Sequence, residues 1–491
     1  MRPFTLFLLL LMAWLPNARA LTIPEIRRSL VRISCTAQEV DYKVPWNPGR
    51  VGAGVGAGFV IDGNRILTNA HVVSNARFLT VERQGDPKKY VAYVKYIAHD
   101  CDLAVLDVEN PDFFKNSIAL PFGGIPEIES VVSAYGFPIG GELMSVTRGI
   151  VSRIDFQPYT HSGVDSHLAI QIDAPINPGN SGGPVMQDDK VVGVAFQGYS
   201  GDQAQNVAYM IPTPVVNRFL KDITDGRYDR YVDLSIGYFK LVNPAQRAAL
   251  KLPDDDRGIL VTSVSPEGSC AGVLEIGDVL LGIDKVPISS DGFVEIEKDR
   301  LEMPEIVERK FKGDTVTFNL LRQGQPLEVT ATLKSAWPYL LQGNSYDIPP
   351  RFVLFAGMLF QPVNRGFMDS VGSNDLRTRY YYNFYIAKEL YKDHPDLVVL
   401  SNVLPDPVNT YLSSYQGEIV ASVNGKTIRL LDDLAAAFAE KHDTYVIRFL
   451  GDSRPAVLER SVVEAARQRI LDGYNVTREQ NLANPPITLA K

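Results

Sequence analysis

The sequence predicts a mainly β protein, one large strand-rich unit followed by two smaller α+β units. Three observations predict it. Residues 21 to about 228 carry short β-branched or aromatic runs, Val55–Ile61, Val131–Ala134, Leu168–Ile172 and Val191–Phe196, bounded by Gly, Pro, Asn or Asp, which suits a barrel or sandwich rather than alternating β and α. The stretch Gly258-Ile-Leu-Val-Thr-Ser-Val264, followed by Gly277-Asp-Val-Leu-Leu-Gly282, is weakly echoed by Leu397–Val403 followed by Gly417-Glu-Ile-Val-Ala-Ser-Val-Asn424. The chain's 491 residues allow about three domains of ~150 residues each.

Taken in order, residues 1–20 read as an export signal. Met1-Arg2 brings a positive charge, Phe4–Leu15 is an apolar run, Pro16 breaks it, and Ala18-Arg19-Ala20 places small residues at a cleavage site. The run is short for a spanning helix, which needs ~20 residues, so no stable membrane span is expected after cleavage. The signal holds two Arg and no acid, so its loss moves the net charge from −8 to −10. An acidic balance speaks against a nucleic-acid partner, which requires a basic face. Cys35, Cys101 and Cys270 are odd in number and widely spaced, so no disulfide framework is indicated. Neither a CxxC nor an HExxH pattern occurs, and the six His are scattered, so no metal site and no cofactor are expected. A P-loop pattern is also missing, which points to independence from ATP.

The first unit spans 21–230. It closes with a short helix, Val215–Ile223, preceded by Pro212 and Pro214 and followed by Asp225-Gly226. Its glycine run Gly54-Val-Gly-Ala-Gly58 leads into a strand rather than a helix, so it is not a dinucleotide loop; glycines there let chains approach closely.

Three segments of this unit carry chemistry: Ile66-Leu-Thr-Asn-Ala-His71-Val-Val, His99-Asp-Cys-Asp102-Leu-Ala-Val, and Asn177-Pro-Gly179-Asn-Ser181-Gly-Gly-Pro184. A serine hydroxyl attacks only when a base takes its proton and donors await the oxyanion. A Gly-Asn-Ser-Gly-Gly loop can aim the N–H groups of Gly179 and Ser181 at one point. His71 follows a strand and can act as base. Asp102 precedes the apolar run Leu103–Leu106 and can orient the imidazole. Asp100 competes for that role, and Asp102 is preferred because it adjoins the strand. The order His, Asp, Ser, with gaps of 31 and 79 residues, is that of chymotrypsin-like barrels and not of α/β-hydrolases or subtilisins. Ile176, Met210 and Ile211 are candidates for a substrate pocket; they carry no charge, which suggests a small or medium apolar side chain at the cleaved position.

These segments resemble the HtrA/Deg family of serine proteases, in Thr68-Asn69-Ala70-His71-Val72-Val73, Asp102-Leu103-Ala104 and Gly179-Asn180-Ser181-Gly182-Gly183. The resemblance implies a chymotrypsin-like double β-barrel followed by two PDZ-like α+β domains, at 231–335 and 352–456, joined by a linker at 336–351 and followed by a tail at 457–491. It places a carboxylate-binding loop for peptide C-termini at Arg257, Gly258, Ile259 and Leu260, with the strand after it adding to a bound peptide. The third unit has Asp396-Leu397-Val398-Val399 with no loop glycine and an insertion around Arg377–His394, and is similar to the atypical second PDZ of plant-type Deg proteases. The family further implies trimer-based homo-oligomers and unfolded-protein or peptide substrates. The leading expectation is an ATP-independent serine endopeptidase of protein quality control in an exported compartment, the periplasm. A chaperone or scaffold with a largely dormant protease, and a regulatory protease cleaving one partner, remain as alternatives.

Overall fold

A computed structural model describes residues 21–138, 143–201, 204–253, 255–296, 298–335, 339–371, 376–451 and 453–483. The expected export signal, Trp337 and Pro338 of the linker, and the last residues of the tail lie outside the described residues.

After helix α1 (Ile23–Ser29), two closed six-stranded barrels follow. The first contains β1 (Leu30–Gln38), β2 (Val51–Ile61), β3 (Arg65–Thr68), β4 (Ala76–Arg83), β5 (Asp86–Ala98) and β6 (Leu103–Val108), in the order β1-β2-β3-β6-β5-β4. The second contains β7 (Val131–Gly136), β8 (Ser145–Pro158), β9 (Ser166–Ile172), β10 (Pro184–Gln187), β11 (Lys190–Gly201) and β12 (Ala204–Pro212), in the order β10-β11-β12-β9-β8-β7. The one-turn helix α2 (Ala70–Val73) follows β3, and α3 (Thr213–Asp222) closes the unit.

Side chains alternate faces along a strand, and here both faces are buried. On β6, Ala104, Leu106 and Val108 fill the first barrel, while Leu103 and Val105 enter a second core between the barrels. On β12, Ala208 and Met210 fill the second barrel, while Tyr209 and Ile211 join that same inter-barrel core beside Phe59, Phe137 and Phe196. Continuous apolar runs therefore mark strands sandwiched between two cores. Within β2, a Cβ on Gly56 would meet Val72 Cγ1 at 2.5 Å and one on Gly58 would meet the Leu67 carbonyl oxygen at 2.9 Å, so these glycines do permit close approach.

The next unit begins and ends at one strand pair, Val232–Asp233 with Lys334–Ser335. Its main sheet runs Ile236–Lys240, Ile259–Val264, Val279–Ile283, Thr315–Arg322, Gln325–Thr332. The third unit repeats this order of pairing in two pieces: Met358–Pro362 pairs with Val398–Val403, and Val420–Val423 pairs with Thr444–Phe449, which pairs with Ala456–Glu459. A single bridge, Val399 to Ile419, links the pieces. The echo in the sequence thus marks a real correspondence of strands.

Two differences separate the units. In the third, the edge strand Met358–Pro362 is itself covered by Phe352–Phe355, which pairs with Gln480–Asn481. The segment expected as a tail supplies that last strand. It also supplies a helix, Arg460–Gly473, whose Ala466 and Ile470 pack on Phe352 and Leu354, so it belongs to the unit rather than trailing from it. Among the described residues no helix is long and apolar enough to cross a membrane.

Candidate active site

The three segments meet where the barrels join. Strand β3 ends at Thr68, and α2 lifts His71 beside the start of β6. The His71 Nδ1 lies 2.7 Å from Asp102 Oδ2, and the His71 backbone N–H donates to Asp102 Oδ1 at 2.8 Å. Asp102 is buried and adopts φ 53°, a left-handed conformation that Asp tolerates better than most residues. Asn69, which sequence reasoning did not single out, locks the two segments together: its Nδ2 donates to the Asp102 carbonyl at 2.9 Å. Its advance signal is its place in the Thr68-Asn69-Ala70-His71 segment, just before the helical turn, although its side chain caps no helix amide.

Burial alone works to lower the His71 pKa, but the Asp102 charge and hydrogen bond outweigh it and leave the imidazole above its ordinary value. The reciprocal effect holds Asp102 below the ordinary carboxylate range: burial pushes it up, and the charge of His71 with the His71 hydrogen bonds pulls it further down. Asp100 is engaged elsewhere. Its carboxylate accepts from the Tyr228 hydroxyl at 2.8 Å and the Tyr231 backbone N–H at 3.0 Å, so it anchors the exit from the barrels.

Ser181 sits in a loop pinned to the first barrel. The Ala57 N–H donates to the Ser181 carbonyl at 2.8 Å, and the Ala57 carbonyl accepts from Thr68 Oγ1 at 2.7 Å. Only glycine fits next: Gly182 has φ 84°, and a Cβ there would lie 2.2 Å from the Ala57 oxygen and 2.3 Å from Thr68 Oγ1. Gly179 has φ 99°, which turns the peptide so that its amide and that of Ser181 stay unengaged by acceptors among the described residues. Two such amides can receive an oxyanion. The Ser181 hydroxyl donates to the Phe196 carbonyl at 3.4 Å rather than to His71, whose side chain is 33% exposed.

Other expectations need correction. Met210 and Ile211 do not line an open pocket, because both are fully buried on opposite faces of β12, one in each core. Ile176 is half-buried against the second-barrel core. The loop at Arg257–Leu260 is not free to hold a carboxylate: the Arg257 amide donates to Asp255 Oδ1 at 3.3 Å and the Gly258 amide to the Ile288 carbonyl at 2.9 Å. Ile259 and Leu260 pair with neighbours on both sides. A strand interior to a sheet cannot accept another strand, and the outer strands of this sheet are Ile236–Lys240 and Gln325–Thr332. The three cysteines are free and buried, and burial pushes Cys35 up to about 11 and Cys270 up to about 12, so neither is a nucleophile at neutral pH.

Two closed barrels with a His–Asp pair and a glycine-bracketed serine at their junction define the class of chymotrypsin-like serine endopeptidases. Comparison with known proteins narrows this. Residues 56–194 match the trypsin-like peptidase domain family and residues 341–481 the PDZ domain family. The chain is 35% identical over 465 residues to protease Do-like 2, chloroplastic, of Arabidopsis thaliana, covering 92% of this chain and 74% of that one. It is 34% identical over 454 residues to putative protease Do-like 13 of the same plant, covering 92% and 88%. Among solved structures it is similar to the HtrA-type protease AlgW with tripeptide, at 25% identity and TM-score 0.51, covering 64% of this chain and 96% of that one. The chain belongs to the HtrA/Do-like family of serine proteases.

Proposed function

We propose that this endopeptidase cleaves unfolded or damaged proteins without ATP, with Ser181 as nucleophile, His71 as base and Asp102 as the orienting carboxylate. The observation that carries the assignment is the 2.7 Å contact from Asp102 to His71 Nδ1, which leaves Nε2 as the nitrogen that can act as base. The Ser181 hydroxyl swings from the Phe196 carbonyl to His71 Nε2, gives up its proton there, and its oxygen bonds to the scissile carbonyl carbon. The carbonyl oxygen becomes an oxyanion held by the Gly179 and Ser181 amides. Collapse breaks the C–N bond, and the leaving amine takes the proton from His71. Water then repeats the sequence on the acyl-enzyme and frees Ser181.

Substrate capture fits the first C-terminal unit, read as a PDZ, through the outer strand Ile236–Lys240 next to Ile259–Val264, where an extended peptide C-terminus can add as a strand. AlgW was solved with a tripeptide, which agrees with peptide recognition in the family. The third unit, read as the atypical PDZ, has that edge filled, which suits assembly better than capture. Trimer-based assembly belongs to the same reading. Residues 1–20 support an exported compartment. Relatives named chloroplastic and mitochondrial support a destination across a membrane more than the periplasm in particular.

The test is hydrolysis of casein and labelling with a fluorophosphonate probe. Ser181→Ala should lose the label and, on the scale of triad deletions elsewhere, roughly 10⁵- to 10⁶-fold in kcat. Equal hydrolysis by both proteins overturns the assignment.

A further inference from the structure

The linker between the two C-terminal units returns to the protease. Asn344 Nδ2 donates to the His161 carbonyl at 2.9 Å, and the Tyr346 hydroxyl donates to the same oxygen at 2.8 Å. The Tyr346 ring stacks on His161, with centroids 4.1 Å apart and planes 13° apart. Asp347 makes a reciprocal pair with Asn75: the Asn75 N–H donates to Asp347 Oδ1 at 2.6 Å, and the Asp347 N–H to Asn75 Oδ1 at 2.7 Å. Its other oxygen lies 3.1 Å from His99 Nε2, and His99 Nδ1 lies 2.9 Å from His161 Nε2.

This cluster stands directly behind the catalytic turn. His161 and His71 have ring centroids 6.2 Å apart. The Ser74 hydroxyl donates to the Ala70 carbonyl at 2.7 Å, so Ser74 Oγ, 3.4 Å from His161 Nε2, acts there as acceptor. The proton is therefore on His161 Nε2, His99 Nδ1 accepts, and His99 Nε2–H donates to Asp347. Helix α2 is one turn long and has no stability of its own. Its orientation is fixed from both sides: Asp102 holds Asn69 and the His71 amide ahead of and within it, and the residues that follow it, Ser74 and Asn75, are gripped by the linker cluster.

We infer that Tyr346 and Asp347 are positioning residues for the catalytic base, clamping His161, His99 and Asn75 so that α2 presents His71 in line with Asp102. The inference rests on His71 being that base. The groups facing His161 are Asp102 and His71 from the first barrel, His99 beside it, and Tyr346 and Asp347 from the linker. Burial above all, reinforced by His99 and His71, lowers His161 to about 4, so a neutral ring backs the catalytic imidazole.

The test uses the full chain with Tyr346→Ala, Asp347→Asn and Tyr346→Phe. Asp347→Asn keeps the size of the side chain but can satisfy only one of the two donors. Peptide hydrolysis is measured from about pH 5 to 9 and normalised to sites titrated with fluorophosphonate. Tyr346→Ala and Asp347→Asn should lower kcat on the order of 10- to 100-fold with KM nearly unchanged, the size expected for a misplaced catalytic group. Their acid limb should steepen below about pH 6.5, because a hydrated His161 now titrates beside His71. Tyr346→Phe keeps the stack and should keep most of kcat. The inference is overturned if kcat per titrated site stays within about twofold of wild type, or falls with no change in the acid limb. Activity surviving in Ser181→Ala would instead sink the serine assignment, so the two failures are distinguishable.

Discussion

His161 lies in the turn between β8 and β9 and His167 near the start of β9, and both pack on a tyrosine ring 4.1 Å away: Tyr346 for His161, Tyr231 for His167. Each also meets chain from beyond the protease. Their charge states differ. His167 Nδ1 lies 2.5 Å from Glu308 of the first C-terminal unit. Burial works against its charge, but Glu308, with Asp165 and Asp100, raises it to about 9. His161 has His99 as its ring-nitrogen partner, and burial dominates, leaving it near 4. Similar burial and similar stacking give a cation in one place and a neutral ring in the other. The nitrogen's partner decides.

The largest effect that would break this contrast is Glu308→Ala. It strands a buried imidazolium, 3% exposed, with its nearest anion gone. Removing one partner of such a pair costs roughly 3–5 kcal/mol, read as a shift of the urea midpoint. Protection of the linker at Asn344–Asp347 should not change. An unshifted midpoint would show that His167 is not held charged in the folded chain.

A second test uses pH. His167 is raised from 6.5 to about 9, so its contribution is complete below about 6.5 and is lost as pH rises to 9. His161 is lowered from 6.5 to about 4, so its contribution is complete above about 6.5 and is lost as pH falls to 4. Each is worth at most about 3 kcal/mol. Hydrogen exchange should therefore show the contact at Glu305–Glu308 loosening on the alkaline side and the contact at Asn344–Asp347 on the acid side. Loosening of both on one side would refute the opposite assignments.

How much of this is legible in the sequence follows from distance along the chain. The members of the proposed triad are legible because each lies in a short pattern with its own turn or strand, and because the run after Asp102 marks a strand buried on both faces. The pocket residues misled for that same reason: an apolar strand such as Tyr209–Ile211 looks identical whether its side chains line a cleft or fill two cores. The loop at Arg257–Leu260 misled because a glycine before an apolar strand does not reveal whether that strand is at an edge. Nothing local announces the histidine cluster, since His99 is 62 residues from His161 and 248 from Asp347. Six scattered histidines suggested no metal site and only His71 was read as functional, yet His99 and His161 converge beside it.

The smallest effect concerns Arg218 of α3, a second tether of the first C-terminal unit. Its guanidinium lies 4.1 Å from the Tyr231 ring centre and 4.9 Å from that of Phe311, and its Nη2 donates to the carbonyls of Arg230 at 2.9 Å and Lys310 at 3.3 Å. A lysine keeps the charge but cannot lie flat between two rings while donating as a fork. Arg218→Lys should cost about 1–2 kcal/mol, the sum of one stacking contact and one charge-assisted hydrogen bond. Because a guanidinium does not titrate in this range, the loss should be equal at pH 6.5 and pH 9. Plotted against pH, the Arg218→Lys stability curve should run parallel to wild type, whereas Glu308→Ala should flatten the alkaline slope. If Arg218→Lys also flattened it, the slope would belong to the whole tether, and His167 would lose its place as the group that distinguishes this contact from the one at His161.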